Sequence, residues 1–144
     1  MKIRTILATK GTKVVMIRPQ QPLKEAARLL AEHNIGALVV VDEASQLVGI
    51  ISERDIIRAA ARLENALSRS VSEVMTKEII IGLPNDDLIA VVHAMTEKRF
   101  RHLPIMEQGE MVGIISMGDI VKSQRDQYEG EIDTLQTQII ADED

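Results

Sequence analysis

Two stretches of the chain place the same hydrogen-bonding groups at the same spacing. Residues 49–55 read GIISERD, and 64 residues further on 113–119 read GIISMGD. Each is an apolar run ending in Ser-x-x-Asp, Ser52 with Asp55 and Ser116 with Asp119. That pattern, where a strand enters a helix, supports two chemistries. One is a capping box: the serine accepts from the amide three residues on, and the carboxylate reaches back to the serine's own amide. An acid in the first turn also suits the helix dipole. The other is ligand binding, because free amides at a helix N-terminus welcome a phosphate or ribose oxygen. A carboxylate beside them can accept both hydroxyls of a ribose. The two can coexist. Gly49 and Gly113, in the preceding strands, either permit a bend or leave room for something to approach the backbone.

Around these pairs the two copies differ. Arg101-His102-Leu103-Pro104 stands opposite Gly36-Ala37-Leu38-Val39. Arg101 and His102 offer donors suited to phosphate, the arginine as a bidentate fork; equally, Arg101 reads as a solvated charge at a helix end and His102 as a half-buried imidazole on an apolar strand. Arg54 puts a cation inside the first Ser-x-x-Asp, whereas the second has Gly118 there. The expectation is two unequal sites, the second backed by Arg101 and His102.

The elements that must hold these groups are themselves duplicated. PLKEAARLLAEHNIGALVVVDEASQLVGIIS aligns with DLIAVVHAMTEKRFRHLPIMEQGEMVGIIS at an offset of 65, with one residue dropped between Asp42 and Gln46. VVMIRP (14–19) meets IIIGLP (79–84) at the same offset. A period this long in 144 residues means two copies with little left over. Each copy reads strand, helix, strand, strand, helix. In the first, Val14 to Ile17 is a β-branched run ended by Pro19, and Pro22 opens a helix whose Leu23, Ala26, Ala27, Leu30 and Ala31 recur at helical spacing. Gly36 is expected to close it. Ala37 to Val41 reads as a strand buried on both faces, Leu47 to Ile51 as its hairpin partner, and a helix follows from Ser52 to about Leu63. The second copy has Ile79 to Ile81, Asp86 to Lys98, His102 to Met106, Glu110 to Ile115 and a last helix from about Met117. The connector NALSRSVSEVM holds a short helical piece capped by Ser70 or Ser72. Copies of about 60 residues bury too little surface alone, so the two are expected to pack sheet to sheet about a pseudo-twofold axis.

Composition narrows the function further. With 45% apolar and 27% charged residues the chain is globular, but one Phe, one Tyr and no Trp leave little for base stacking. The net charge of −5 is concentrated: residues 126–144 hold seven acids and no Lys or Arg, leaving 17 basic against 15 acidic residues before them. Nothing there opposes an anionic small molecule, while nucleic acid would want a clear basic face. No cysteine means no disulfide, thiolate metal site or Cys nucleophile, which fits a cytoplasmic setting. No signal peptide is legible at the N-terminus, and no run approaches the ~18–20 apolar residues of a membrane span. His33, His93 and His102 fall on unrelated elements, with neither a Walker loop nor GxGxxG present, so the reading is non-enzymatic and metal-free. Beyond Gly118, Val121, Tyr128, Ile132, Leu135 and Ile139 keep helical spacing, and such a stripe suggests a homodimer.

A strand–helix–strand–strand–helix unit present twice, with GIISERDII, RHLPI and GIISMGDIV joined by SEVMTKEIII, resembles the tandem CBS-domain pair, or Bateman module, and most of all bacterial stand-alone CBS-pair proteins. The resemblance covers nearly the whole chain. It implies an α+β (mixed) fold of two β-α-β-β-α repeats with an extended C-terminal helix: repeat one over 1–65, a linker at 66–77, repeat two over 78–127 and a helical tail at 128–144. It also implies a cytoplasmic regulatory module binding AMP, ADP, ATP, an NAD-type dinucleotide, NAD(H), or S-adenosylmethionine between the repeats, with no cofactor required, and signalling to a regulated protein. Carried onto this sequence, Asp55 and Asp119 hold ribose hydroxyls, Ser52 and Ser116 contact ribose or phosphate, and Arg54, Arg101 and His102 serve the phosphate side. The adenine is expected against Val14 and Ile79, with Pro104 and Ile114 nearby, and Lys13 and Lys77 within reach of phosphates. The rival reading is a ligand-free dimerisation scaffold in which Ser-x-x-Asp is only a cap.

Overall fold

The computed structural model describes residues 1–129. Along the chain come α1 (Ile3–Lys10), β1 (Met16–Ile17), α2 (Leu23–His33), β2 (Ala37–Val41), β3 (Leu47–Ser52), α3 (Glu53–Arg62), a 3-10 turn (Ala66–Ser68), α4 (Val71–Val74), α5 (Leu88–Lys98), β4 (His102–Glu107), β5 (Glu110–Ser116) and a helix α6 over 117–129. They form two compact units, Lys13–Ile81 and Met1–Thr12 with the chain from Gly82 onward, here called the Ser52 unit and the Ser116 unit. The N-terminal segment, read from sequence with the first repeat, thus groups with the second. The stretch expected as a linker is part of the Ser52 unit, where Val71 is fully buried.

In the Ser52 unit, β1 runs parallel to β2 (Met16↔Val39, Ile17↔Val40) and β2 antiparallel to β3 (Ala37↔Ser52 to Val41↔Leu47). All five residues of β2 are buried, as its unbroken apolar run predicts. Ile17, Leu38, Val40 and Ile51 pack with Leu23, Ala26 and Leu30 of α2 and with Val71 in one cluster. Each fully buried aliphatic side chain of this kind contributes about 1.5–3 kcal/mol. Asp42 turns the β2–β3 connection by accepting from the amides of Ala44 and Gln46, both at 2.9 Å.

The Ser116 unit repeats this with a shorter sheet. β4 and β5 pair antiparallel from His102↔Ser116 to Glu107↔Glu110 through a two-residue turn, Gln108 and Gly109, both at positive φ. The expected strand at Ile79–Ile81 does not form; only Gly82 pairs, its amide donating to Pro104 O and its carbonyl accepting from Met106 N, both at 2.9 Å. The reason is Pro104. In the Ser52 unit the matching Val39 donates its amide to Val15 O at 3.3 Å, and a proline has no such hydrogen to give. The strand expected over Val14 to Ile17 is likewise reduced to Met16–Ile17.

Helix ends also differ from expectation. Gly36 does not close α2; Asn34 does, in the left-handed region at φ 52°, its amide donating to Ala31 O and Leu30 O. Asparagine tolerates that region. Arg99, its counterpart after α5, has φ 57° without the same excuse. Arg99→Gly is therefore expected to stabilise the protein by about 0.5–1 kcal/mol, read as a higher urea midpoint at unchanged slope. The connector helix is α4, with Ser70 at its N-cap position but no side-chain capping bond; Ser70 Oγ lies 3.0 Å from Ser72 Oγ instead. In α6, Val121 and Tyr128 are exposed, while Ile132, Leu135 and Ile139 of the expected stripe lie outside the described residues.

Candidate functional site

The two Ser-x-x-Asp pairs sit where β3 enters α3 and where β5 enters α6. In the Ser52 unit the capping box is complete: Ser52 Oγ accepts from Asp55 N at 3.3 Å, and Asp55 Oδ2 accepts from Ser52 N at 2.9 Å. In the Ser116 unit the same bonds measure 3.0 Å (Asp119 N to Ser116 Oγ) and 2.8 Å (Ser116 N to Asp119 Oδ2). The capping reading of the sequence therefore holds in both copies. The carboxylates are half-buried at the mouth of their helices.

What approaches each carboxylate differs between the units. At Asp55 it is Thr76, whose hydroxyl donates to Oδ1 at 3.3 Å. Thr76 is placed by two backbone bonds to β3, its amide to Ile50 O at 2.8 Å and its carbonyl from Ile50 N at 3.0 Å. At Asp119 it is Lys10, the last residue of α1, whose ammonium donates to Asp119 Oδ2 and to Ile114 O, both at 2.5 Å. Ile114 matches Ile50 in the repeat, so the same strand carbonyl and the same carboxylate are engaged in both units. A neutral amide and hydroxyl do this in one, a cation in the other. The pair is partly sheltered, Lys10 and Asp119 side chains being 29% and 24% exposed. Burial alone would raise the Asp119 carboxyl; the Lys10 hydrogen bond, the Ser116 amide and the lysine charge outweigh it and hold Asp119 below its ordinary value.

The glycines of the repeated heptapeptides admit hydrophobic side chains. A Cβ on Gly49 would lie 2.5 Å from Met75 Sδ, and one on Gly113 would lie 2.6 Å from Leu7 Cδ2. Of the two sequence readings, close approach is the one realised, and what approaches is the segment that also brings Thr76 or Lys10 to the carboxylate.

The remaining candidates divide between the units. His102 is half-buried and pairs across the hairpin with Ser116, while the exposed Arg101 accepts from Met117 N at 2.9 Å through its carbonyl. Pro104, buried, pairs with Ile114. Thus Arg101, His102, Pro104, Ile114, Ser116 and Asp119 gather on one hairpin and the helix it feeds. Arg54 is exposed on the first turn of α3 beside Ser52 and Asp55. Lys13 and Lys77 are exposed and Val14 and Ile79 half-buried, all four in the Ser52 unit and outside its strands. The hydrogen bond to Asp55 comes from Thr76 rather than from Lys77. Among the described residues no cluster of His, Cys, Asp or Glu could hold a metal ion, and no helix is long and apolar enough to cross a membrane.

Lys10 and Thr76 are the residues that sequence reasoning missed. A signal existed: Ile3, Ile6 and Leu7 match Val71, Val74 and Met75 at an offset of 68, and Ile3 and Val71 are both fully buried. The offset of 65 used for the rest of the repeat hides it.

A small sheet flanked by helices, three-stranded and mixed in the Ser52 unit and a two-stranded antiparallel hairpin in the Ser116 unit, ends each time in Ser-x-x-Asp at the strand-to-helix junction and defines a paired-repeat class. The chain belongs to the CBS-domain family, whose model matches residues 4–62 and 71–126. It is similar to the CBS domain-containing protein YhcV of Bacillus subtilis, at 38% identity over 117 residues covering 81% of this chain and 82% of that one. Among solved structures, a CBS-domain protein of Agrobacterium tumefaciens superposes with a TM-score of 0.82 at 40% identity, covering 85% of this chain and 92% of the other. The CBS domain pair of protein MJ0100, solved with 5′-methylthioadenosine and S-adenosyl-L-methionine, gives 0.78 at 26% identity, covering 88% and 98%.

Proposed function

We propose that the chain is a non-catalytic regulatory module, working in the cytoplasm as a homodimer, that binds an adenosine-containing ligand. AMP, ADP, ATP and NAD(H) are the candidates, and the bound state is passed on to a regulated protein. The observation that carries the reading is the carboxylate of each Ser-x-x-Asp, set at a helix N-terminus beside backbone amides. That geometry suits a ribose diol with phosphate close by. The MJ0100 pair, similar over most of its length, was solved with two adenosine ligands, which supports the ligand class. The hydrogen bonds that Lys10 and the Ser116 amide donate to Asp119 both fall on Oδ2, so Oδ1 takes neither of them and suits a ribose hydroxyl. A ligand shifts the module only by its differential affinity for two arrangements.

Calorimetry with AMP, ADP, ATP, NAD(H) and S-adenosylmethionine is expected to find at least one binder. Asp119→Asn keeps a capping oxygen but loses the charge, and should weaken that ligand by about 1–3 kcal/mol. Absence of binding across the panel would instead favour the scaffold reading. The observation on that side is that the Ser52–Asp55 box is completed by the chain's own groups.

A further inference from the structure

Lys10 holds a position that a ligand would contest. Asp119 Oδ2 already accepts two hydrogen bonds, from the Ser116 amide at 2.8 Å and from the Lys10 ammonium at 2.5 Å. A carboxylate oxygen has two lone pairs, so a third donor at Oδ2 would share an acceptor site and bind weakly, as the Thr76 hydroxyl does at 3.5 Å from Asp55 Oδ2 beside the Ser52 amide and hydroxyl. A ribose diol that grips both oxygens of Asp119 closely competes with one of these donors. The Ser116 amide is fixed by β5, which leaves Lys10. At Asp55 the corresponding donor is the neutral Thr76 hydroxyl, at 3.3 Å from Oδ1 and 3.5 Å from Oδ2. Hydrogen bonds between neutral partners or to one charge are weaker than those of an ammonium on a carboxylate.

Resting on the nucleotide reading above, we propose that Lys10 is a specificity-determining residue: it closes the Asp119 site to adenosine ligands without a phosphate and opens it to phosphorylated ones. A neutral or cationic adenosine ligand offers the ammonium nothing in exchange for Asp119 and leaves it stranded beside Ile114 O. A phosphorylated ligand brings its own anion. The ammonium then exchanges one ion pair for another while the ribose takes the vacated acceptor. Lys10 ends α1, anchored at its other end by Ile3 N to Asp86 O (3.1 Å) and Arg4 N to Pro84 O (2.8 Å). The four-carbon stem can thus swing while the helix stays seated. Among the described residues no lysine pairs with the Asp55 carboxylate, and that site is expected to discriminate less.

The test is the ratio of AMP to 5′-methylthioadenosine affinity, measured by calorimetry on full-length protein in an Asp55→Asn background so that the Asp119 site is read alone. With Lys10 present, AMP is expected to bind at least about tenfold more tightly. In Lys10→Met, the ratio should collapse to within about twofold, because 5′-methylthioadenosine tightens. Lys10→Arg, which keeps the charge, should retain the preference. A ratio unchanged in Lys10→Met, or an equal loss for both ligands, overturns the assignment while leaving the nucleotide reading in place. Binding of neither ligand to any of these variants, nor to the unaltered protein, overturns the assignment, and the nucleotide reading falls with it only when ADP, ATP, NAD(H) and S-adenosylmethionine also fail to bind. Thermal melts of each variant separate loss of fold from loss of preference.

Discussion

Gly49→Ala is expected to cost about 2 kcal/mol of folding stability, and Gly113→Ala distinctly less. The two glycines occupy the same place in the repeat, so composition and position predict equal effects; the difference lies in what each faces. An added Cβ at Gly49 meets Met75 Sδ at 2.5 Å, Met75 Cγ at 3.0 Å and the carbonyl oxygen of Thr76 at 3.1 Å. That carbonyl cannot move away freely, because it accepts from Ile50 N while Thr76 N donates to Ile50 O. Relief would mean breaking the bridge that joins the segment to β3. At Gly113 the added atom meets only Leu7, with Cδ2 at 2.6 Å and its next atoms at 3.8 and 4.0 Å. A leucine methyl can rotate out of the way at a smaller cost. Urea unfolding of the two variants, compared at equal slope, checks the ordering. The double variant Gly49→Ala with Met75→Ala should recover part of the loss; equal costs at the two glycines, or no coupling to Met75, would contradict this account.

The duplicated pattern made most of the fold legible, because hydrophobic period and turn chemistry are local. The unbroken run of β2, the helix after Pro22 and the hairpin before Ser116 all stand near their expected limits. Where expectation failed, either a partner elsewhere in the chain or a competing neighbour decided. Ile79–Ile81 has the composition of a strand, but the residue that matches Val39, the amide donor to the first strand of the other repeat, is Pro104, which has no amide hydrogen. Gly36 looked like the helix stop because glycine is the usual one, yet Asn34 reaches the left-handed region two residues earlier. The Ser-x-x-Asp carboxylates were found because their spacing is local. Lys10 was not, since it meets Asp119 across more than a hundred residues and belongs to a helix outside the main alignment.

Asp119→Ala should destabilise the protein more than Asp55→Ala, although both remove the same half of a capping box. Loss of a cap costs about 0.5–2 kcal/mol in either unit. At Asp55 the orphaned group is a neutral Thr76 hydroxyl, exposed enough to turn to water. At Asp119 it is an ammonium with 29% of its side chain exposed, left with only Ile114 O for a partner. A partly sheltered charge that loses its counter-ion adds to the cost of the lost cap. The same pair sets an acid dependence whose sign is fixed. Folded Asp119 titrates below its ordinary 3.8, so the stabilisation it supplies is complete above the unfolded carboxylate's range and is lost as pH falls through the folded value. Unfolding followed from pH 7 down to below about pH 4 should therefore show a loss, and Asp119→Asn should remove the share of it that Asp119 supplies. Lys10→Met should shrink it too, because the lysine supplies the leading contributions that lower the carboxyl. A profile unchanged by both substitutions would mean that the Lys10–Asp119 contact does not hold the folded state together in solution, and that Asp119 acts through its cap alone.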